Sequence, residues 1–209
     1  MSTVSGYILG IESAIGGGSI SLRHNGVEIG GSSGDDSVSR AEELLQRIDS
    51  LLREYDVTIR NLDVIIVSTG PGSYTGIRVG IATVLGLRAS IGSRCLGVSV
   101  LQAMTLLAKN ESAVLTAVPM GRNMVCSQLF EGDYPTSMPK LNTTEEFVES
   151  AIAFTGSVVV HRSLFNSIEN RDSARLIDAG DNLASLIAAA AGSRQCARPC
   201  RQACPLVPK

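Results

Sequence analysis

The sequence predicts an α/β protein built on a mixed sheet, and three observations carry that expectation. Residues 7–31 read as a meander of three short strands. From Arg40 onward the apolar residues recur at helical spacing, and strand and helix patterns alternate after that. Between two helix patterns lies an uninterrupted β-branched run, Val64-Ile65-Ile66-Val67, the pattern of a strand covered on both faces.

Each element has its own signal. Tyr7 to Ser13 is a short apolar run, and Ser19-Ile20-Ser21-Leu22 follows Gly16, Gly17 and Gly18. Asn25-Gly26 between His24 and Val27 is the strongest short hairpin signature. Ser32 to Ser39 is polar and reads as a loop. Leu44, Leu45, Ile48, Leu51, Leu52 and Tyr55 form one helical face, opposite Glu42, Glu43, Arg47, Asp49 and Arg53. Gly70 to Gly76 is a turn into a second helix, Ile77 to about Ile91, apolar nearly all round and carrying Gly76, Gly80 and Gly86. Leu96-Gly97-Val98 reads as a strand and Leu101 to Lys109 as a helix.

Patterning weakens near residue 100. Val114 to Val118 and Met124 to Phe130 read as strands, and Gly132 to Leu141 as a proline-containing loop. Thr143 and Glu146 have capping-box spacing ahead of Phe147, Ile152 and Phe154. Gly156 to His161 reads as a buried strand and Asn182 to Ala191 as an alanine-rich helix. The expected division is 1–104, a smaller second subdomain over 105–180, and a C-terminal helix with a basic, cysteine-containing tail over 181–209.

Composition narrows the function classes. The 209 residues are 44% hydrophobic and 18% charged, against a usual charged share of about 25%. A chain of this length buries roughly 70% of its unfolded surface without needing disulfides. Its formal net charge of −2 supplies no global field for nucleic acid. The five cysteines are an odd number, which fits reduced thiols. Met1 to Gly6 has no Lys or Arg, and the apolar run from Tyr7 stops at Glu12, so no secretory signal is expected. Leu183 to Ala191 is about half a membrane span. The expected setting is the cytoplasm, without membrane attachment.

The sharpest motif runs Val67-Ser68-Thr69-Gly70-Pro71-Gly72-Ser73-Tyr74-Thr75-Gly76-Ile77-Arg78-Val79-Gly80. A buried strand enters a Gly-Pro-Gly turn and a helix follows at once, an arrangement that can hold an anion on free backbone N–H groups. It is neither a Walker A loop nor a dinucleotide fingerprint, because no Gly-Lys-Ser/Thr follows and Thr75 stands where a glycine would be. From the residues alone, a tight structural turn and an anion site both remain open.

The segment from Gly70 to Thr83, with Gly86-Leu87, closely resembles the hallmark of the bacterial TsaB (YeaZ) family. Ile8-Leu9-Gly10-Ile11-Glu12-Ser13 with Ile20-Ser21-Leu22 resembles that family's first hairpin, and Glu42-Glu43-Leu44-Leu45 its first helix. The resemblance covers about the first 105 residues. It implies an actin-like ATPase (ASKHA, ribonuclease-H-like) fold with two similar subdomains, mixed sheets flanked by helices. It also implies a degenerate relative of TsaD, the partner that performs the transfer. The implied role is a non-catalytic scaffold or activator of threonylcarbamoyl transfer to adenosine 37 of tRNA, with no catalytic residue of its own. The implied partners are a TsaD-like catalytic subunit, a TsaE-like ATPase, tRNA reached through the complex, and a second copy of the chain in isolation. No cofactor is implied for the chain alone; ATP or ADP at the interface with the TsaD-like partner is the candidate.

By the same resemblance, Gly76, Ile77, Val79, Gly80, Thr83, Val84 and Leu87 are the expected partner or dimer surface. A leucine at Gly80 is then expected to cost more in partner binding than in folding. The candidate nucleotide or phosphate loop is Glu12, Ser13, Gly70, Gly72, Ser73, Thr75 and Arg78. Here the chain departs from the family, which has Asp-Thr where Glu12-Ser13 stands, and Arg40 aligns with a common histidine. In the second half only Pro119-Met120-Gly121-Arg122 loosely matches the family's Asp-Ala-Arg-like segment, without its acid.

Two other classes compete. A stand-alone ASKHA-type ATPase or small-molecule kinase would use Glu12 and the loop at Gly70 to Gly76. A metal-binding redox module would use Cys196, Cys200 and Cys204, spaced C-x3-C-x3-C among Arg194, Arg198 and Arg201. No metal site is expected elsewhere. The two histidines, His24 and His161, are far apart and lack the i,i+4 spacing of a helical metal pair. His24 reads as a hairpin residue and His161 as a core or rim residue.

Overall fold

The computed structural model describes residues 5–34, 40–168, 175–192 and 198–199. The chain forms two compact units, residues 1–100 with 182–209, and residues 101–181.

The first unit is a six-stranded mixed sheet. Its strands are β1 (Tyr7–Glu12), β2 (Ser19–His24), β3 (Val27–Ser33), β4 (Leu62–Ser68), β5 (Arg94–Val98) and the short β12 (Arg198–Pro199). They lie in the order β12-β5-β4-β1-β2-β3, with β1 parallel to β4, β4 parallel to β5, and β1-β2-β3 antiparallel. The β2–β3 turn is made by Asn25 at φ 49° and Gly26 at φ 84°, the pair of positive φ values that a two-residue hairpin requires. Asn25 Oδ1 accepts from Gly6 N at 2.8 Å, and His24 stacks on Tyr7 with ring centroids 4.2 Å apart.

Period-two alternation sends Leu9 and Ile11 to one face, where Leu44, Ile48, Leu51 and Leu52 of α1 (Arg40–Glu54) and Ile81 and Val84 of α2 (Tyr74–Ile91) close the core. On the other face Gly10 has no side chain because helix α6 (Leu183–Ala189) crosses there. A Cβ at residue 10 would stand 2.5 Å from the Ala184 carbonyl oxygen and 2.8 Å from Ala188 Cβ. Val64, Ile65, Ile66 and Val67 are all buried, as a strand covered on both faces must be.

The second unit has a similar order of elements, with four strands rather than three ahead of the helix–strand alternation. Strands β6 (Val114–Pro119), β7 (Met124–Glu131), β8 (Tyr134–Pro135) and β9 (Lys140–Thr143) are followed by α4 (Thr144–Ala153), β10 (Ser157–Val160), α5 (Arg162–Ile168) and β11 (Leu176–Asp178). The sheet runs β11-β10-β6-β7-β8, with β9 also paired to β7. Phe147, Val148 and Ala151 of α4 pack with Leu115, Ala117, Val158 and Val160.

Several elements differ from the sequence expectation. Helix α2 begins at Tyr74 rather than Ile77, because Ser73 caps it by accepting from Gly76 N at 3.3 Å. The helix expected over Leu101 to Lys109 is α3 (Val100–Met104) followed by a 3-10 turn, Thr105–Ala108. There the Thr105 hydroxyl donates to the Gln102 carbonyl at 2.8 Å, a back-bond that competes with the α-helical pattern. The loop expected over Gly132 to Leu141 contains β8 and the start of β9, short edge strands, with Pro135 ending β8 and Pro139 just ahead of β9. Helix α5 and strand β11 lack a sequence signal strong enough to announce them. Strand β3 extends to Ser33, inside the expected loop. No helix among the described residues is long and apolar enough to cross a membrane.

The capping box at α4 forms as its spacing implies. Glu146 N donates to Thr143 Oγ1 at 3.2 Å and Thr143 N donates to Glu146 Oε2 at 3.0 Å. The Thr143 backbone N–H, followed by the Asn142 side chain, holds the Glu146 carboxyl below its usual range. A depressed carboxyl pKa contributes stability above the unfolded value and loses it as pH falls through the folded value. The α4 cap therefore weakens below the ordinary glutamate range, and Glu146→Gln removes that pH dependence. Thr143→Ala lowers the second unit's melting midpoint by about 4–8 °C at neutral pH. Differential scanning calorimetry across pH checks both.

Candidate functional site

Strands β1 and β4 are parallel neighbours, and the loops after them leave the same sheet edge, where open α/β sheets form ligand crevices. After Glu12 the chain turns through Ser13 to Gly18. Gly16, Gly17 and Gly18 follow one another at φ 48°, 74° and 79°, a left-handed run that glycine alone adopts readily. After Ser68 it passes a cis Gly70-Pro71 bond and enters α2.

The two loops bond to one another. Ser73 N donates to the Ala14 carbonyl at 2.9 Å, and the Ser13 hydroxyl donates to the Gly76 carbonyl at 2.8 Å. The Glu12 side chain, 1% exposed, accepts from Ala14 N at 2.6 Å and Ile15 N at 3.3 Å. Within the second loop Gly70 N donates to Ser68 Oγ at 3.1 Å, while Thr69 N and the Gly70 carbonyl pair with Val98 O and Val100 N. From α1, Arg47 Nη2 donates to the Ser32 carbonyl at 2.7 Å and reaches the Gly18 carbonyl at 3.5 Å. Burial lowers the Arg47 guanidinium from its ordinary value while Glu43 opposes that shift, and its charge secures the glycine turn against β3.

Of the candidate phosphate-loop residues, Glu12, Ser13, Gly70, Gly72 and Ser73 are therefore brought together. Thr75 and Arg78 are exposed on the outer side of α2, where the Arg78 guanidinium lies 5.2 Å from the centre of the Tyr74 ring. Four of the N–H groups of these loops are bonded within the chain: Ser73 to Ala14, Gly76 to Ser73, and Ala14 and Ile15 to Glu12. The loops are arranged to brace each other.

The expected partner surface divides. Gly76, Gly80 and Val84 face inward, and Ile77, Val79, Thr83 and Leu87 are half-buried. A Cβ at Gly76 would stand 2.1 Å from the Ser13 carbonyl oxygen, and one at Gly80 would stand 2.3 Å from Ser13 Oγ and 3.2 Å from Val67 Cγ2. The close approach that these glycines permit is to the chain's own first loop. This corrects the expectation for Gly80→Leu, whose first cost falls on folding. The exposed row of α2 is Thr75, Arg78, Ala82 and Gly86, and a Cβ at Gly86 would meet no atom within 4 Å. Ala82, inside the segment that carries the family resemblance, lies on this exposed row although it is not among the residues expected at the partner surface. Sequence reading missed the inward role of Arg47, which the helical pattern assigns to the charged face.

His161 is buried at the start of α5. Its Nδ1 accepts from Ser163 N at 3.3 Å and lies 2.9 Å from Ser163 Oγ, while Nε2 is 3.8 Å from Asp181 Oδ1. This is a helix cap on the rim of the sheet. No group of three or more His, Cys, Asp or Glu among the described residues is placed to hold a metal ion. Cys196, Cys200 and Cys204 lie outside the described residues.

Comparison with known proteins bears on this geometry. Residues 37–137 match the family model described as TsaD, tRNA N6-adenosine threonylcarbamoyltransferase. Among solved structures, YeaZ from Pseudomonas aeruginosa superposes with a TM-score of 0.68 at 19% identity, covering 97% of this chain and 100% of that one. A second structure, described as similar to peptidase YEAZ from the same organism, gives 0.66 at 20% identity, covering 98% and 100%. Component A of (R)-2-hydroxyglutaryl-CoA dehydratase from Acidaminococcus fermentans gives 0.61 at 10% identity, covering 95% and 99%. No curated protein sequence matches. The likeness to the YeaZ structures thus extends in fold over nearly the whole chain.

Proposed function

We propose that the chain is a non-catalytic scaffold or activator in the machinery that transfers threonylcarbamoyl to adenosine 37 of tRNA. Involvement in that modification is supported by the TsaD-type segment, residues 37–137, carried on a YeaZ-like fold. The observation that carries the non-catalytic reading is the closure of the loop after β1 onto the loop after β4. Ala14, Ile15, Ser73 and Gly76 spend their backbone donors on bonds within the chain, which supports a bracing role for these loops over phosphate binding by a stand-alone ATPase or kinase.

In this reading the outer face of α2 binds a TsaD-like catalytic subunit. Thr75, Arg78, Ala82 and Gly86 form a row that lets a partner helix approach closely at its small residues, with the Tyr74–Arg78 stack at one end. In isolation the same face pairs with a second copy. A TsaE-like ATPase and tRNA join through the assembled complex, any ATP or ADP is held with the partner, and the setting is the cytoplasm.

Ala82→Glu tests the surface. A carboxylate buried without a partner at a packed interface weakens binding about a hundredfold, roughly 3 kcal/mol. The same change at an exposed helical position moves the melting midpoint by no more than about 2 °C. Calorimetric titration of the TsaD-like subunit with both forms decides the matter. Equal affinities for wild type and Ala82→Glu would remove α2 as the docking face.

A further inference from the structure

We infer that the Glu12 carboxylate is the built-in anion of the loop after β1, filling the position that a ligand's oxyanion would otherwise take. A buried carboxylate is tolerated only where donors meet it. Glu12 is 1% exposed and meets the consecutive backbone N–H groups of Ala14 and Ile15. Successive amides turned toward one point make an anion-binding concavity, and the left-handed glycines that follow bring the chain back into β2 without side chains to obstruct it.

The loop is also fixed from outside. Gly72 and Gly76 press on Ala14, and Ser13 and Ala14 are bonded to Gly76 and Ser73. The concavity is therefore held in shape, with its own side chain as occupant, and the native chain offers it to no external phosphate. The isolated chain has this arrangement whether or not α2 docks a partner.

Removing the carboxylate exposes the site to a small oxyanion. Amide hydrogen exchange over residues 13–18 and the thermal midpoint are measured on the full chain in chloride, formate, inorganic phosphate and magnesium-ATP, at matched ionic strength. The wild type gives the same exchange in every medium. Glu12→Ala exchanges about tenfold faster at residues 14 and 15 in chloride, and formate slows it again and raises its midpoint. Glu12→Gln keeps the volume but turns an NH2 group toward one of the donors, so it exchanges faster than wild type and formate does not restore it. Where Glu12→Ala is too unstable to measure, Glu12→Gln decides alone.

Three results would each overturn the inference: phosphate or ATP protecting residues 13–18 of the wild type, formate leaving Glu12→Ala unchanged, or Glu12→Gln exchanging like the wild type.

Discussion

Gly76→Ala lowers the melting midpoint of the first unit by about 6–12 °C, and Gly86→Ala, ten residues further along the same helix, raises it. The alanine Cβ at 76 would stand 2.1 Å from the Ser13 carbonyl oxygen and 2.8 Å from Ala14 Cα, both backbone atoms that no rotamer change can move aside. Either α2 or the loop after β1 must shift, at the expense of the bonds Ser13 makes to Gly76 and Ala14 makes to Ser73. Overpacking of this kind costs about 3 kcal/mol, and each kcal/mol is worth roughly 2–4 °C in a chain of this size. At Gly86 nothing lies within 4 Å of the added methyl, so helix propensity alone acts and gains up to about 1 kcal/mol. Thermal melts of the two variants test the opposite signs together. Equal midpoints would mean that α2 does not brace the first loop.

Removing residues 182–209 has a larger effect still: the first unit loses its cooperative transition. Leu183, Ala184, Ile187 and Ala188 are buried, and α6 lies on the face of β1 where Gly10 leaves room for it. Ala184 N donates to Ser19 Oγ at 3.0 Å and Ser185 Oγ donates to Glu28 at 2.6 Å. Losing one buried leucine and one buried isoleucine, at about 2–5 kcal/mol each, already approaches the total stability of an ordinary domain, about 5–15 kcal/mol. Ile187→Ala is the milder form and costs about 2–5 kcal/mol while leaving the fold in place. Calorimetry of the chain ending at Asp181 reads the outcome. A retained native transition for the first unit would show that α6 is dispensable.

How much of this was legible in the sequence depends on the length and contrast of each pattern. Strands β1, β2 and β4 and helices α1 and α2 carry long apolar runs or clear periods, and Asn25-Gly26 fixes one turn by backbone chemistry alone. Helix α5 and strand β11 span seven and three residues, too short for a period to emerge. In the edge strands β8 and β9, prolines mask the alternation. The alanine-rich character of α6 was visible, but its seat on β1 joins residues about 170 positions apart and leaves no local trace beyond Gly10.

At the candidate site the residue types were legible and their directions were not. Gly76 and Gly80 announce a close approach without naming what approaches. Glu12 stands at the end of β1 in either case, and only the fold shows its carboxylate turned back onto Ala14 and Ile15 rather than outward. Ala82 and Gly86, on the exposed row, look like ordinary helix residues until the buried face is known.

The proposed role is to enable tRNA modification without performing the chemistry. It is tested by threonylcarbamoyladenosine formation in a reconstituted reaction holding threonylcarbamoyl adenylate, tRNA and the TsaD- and TsaE-like partners, with and without this chain. Product is expected only when the chain is present, with little product from Ala82→Glu and no ATP turnover by the chain alone. Undiminished product in its absence, or ATP hydrolysis by the isolated chain that Glu12→Gln abolishes, would contradict that role.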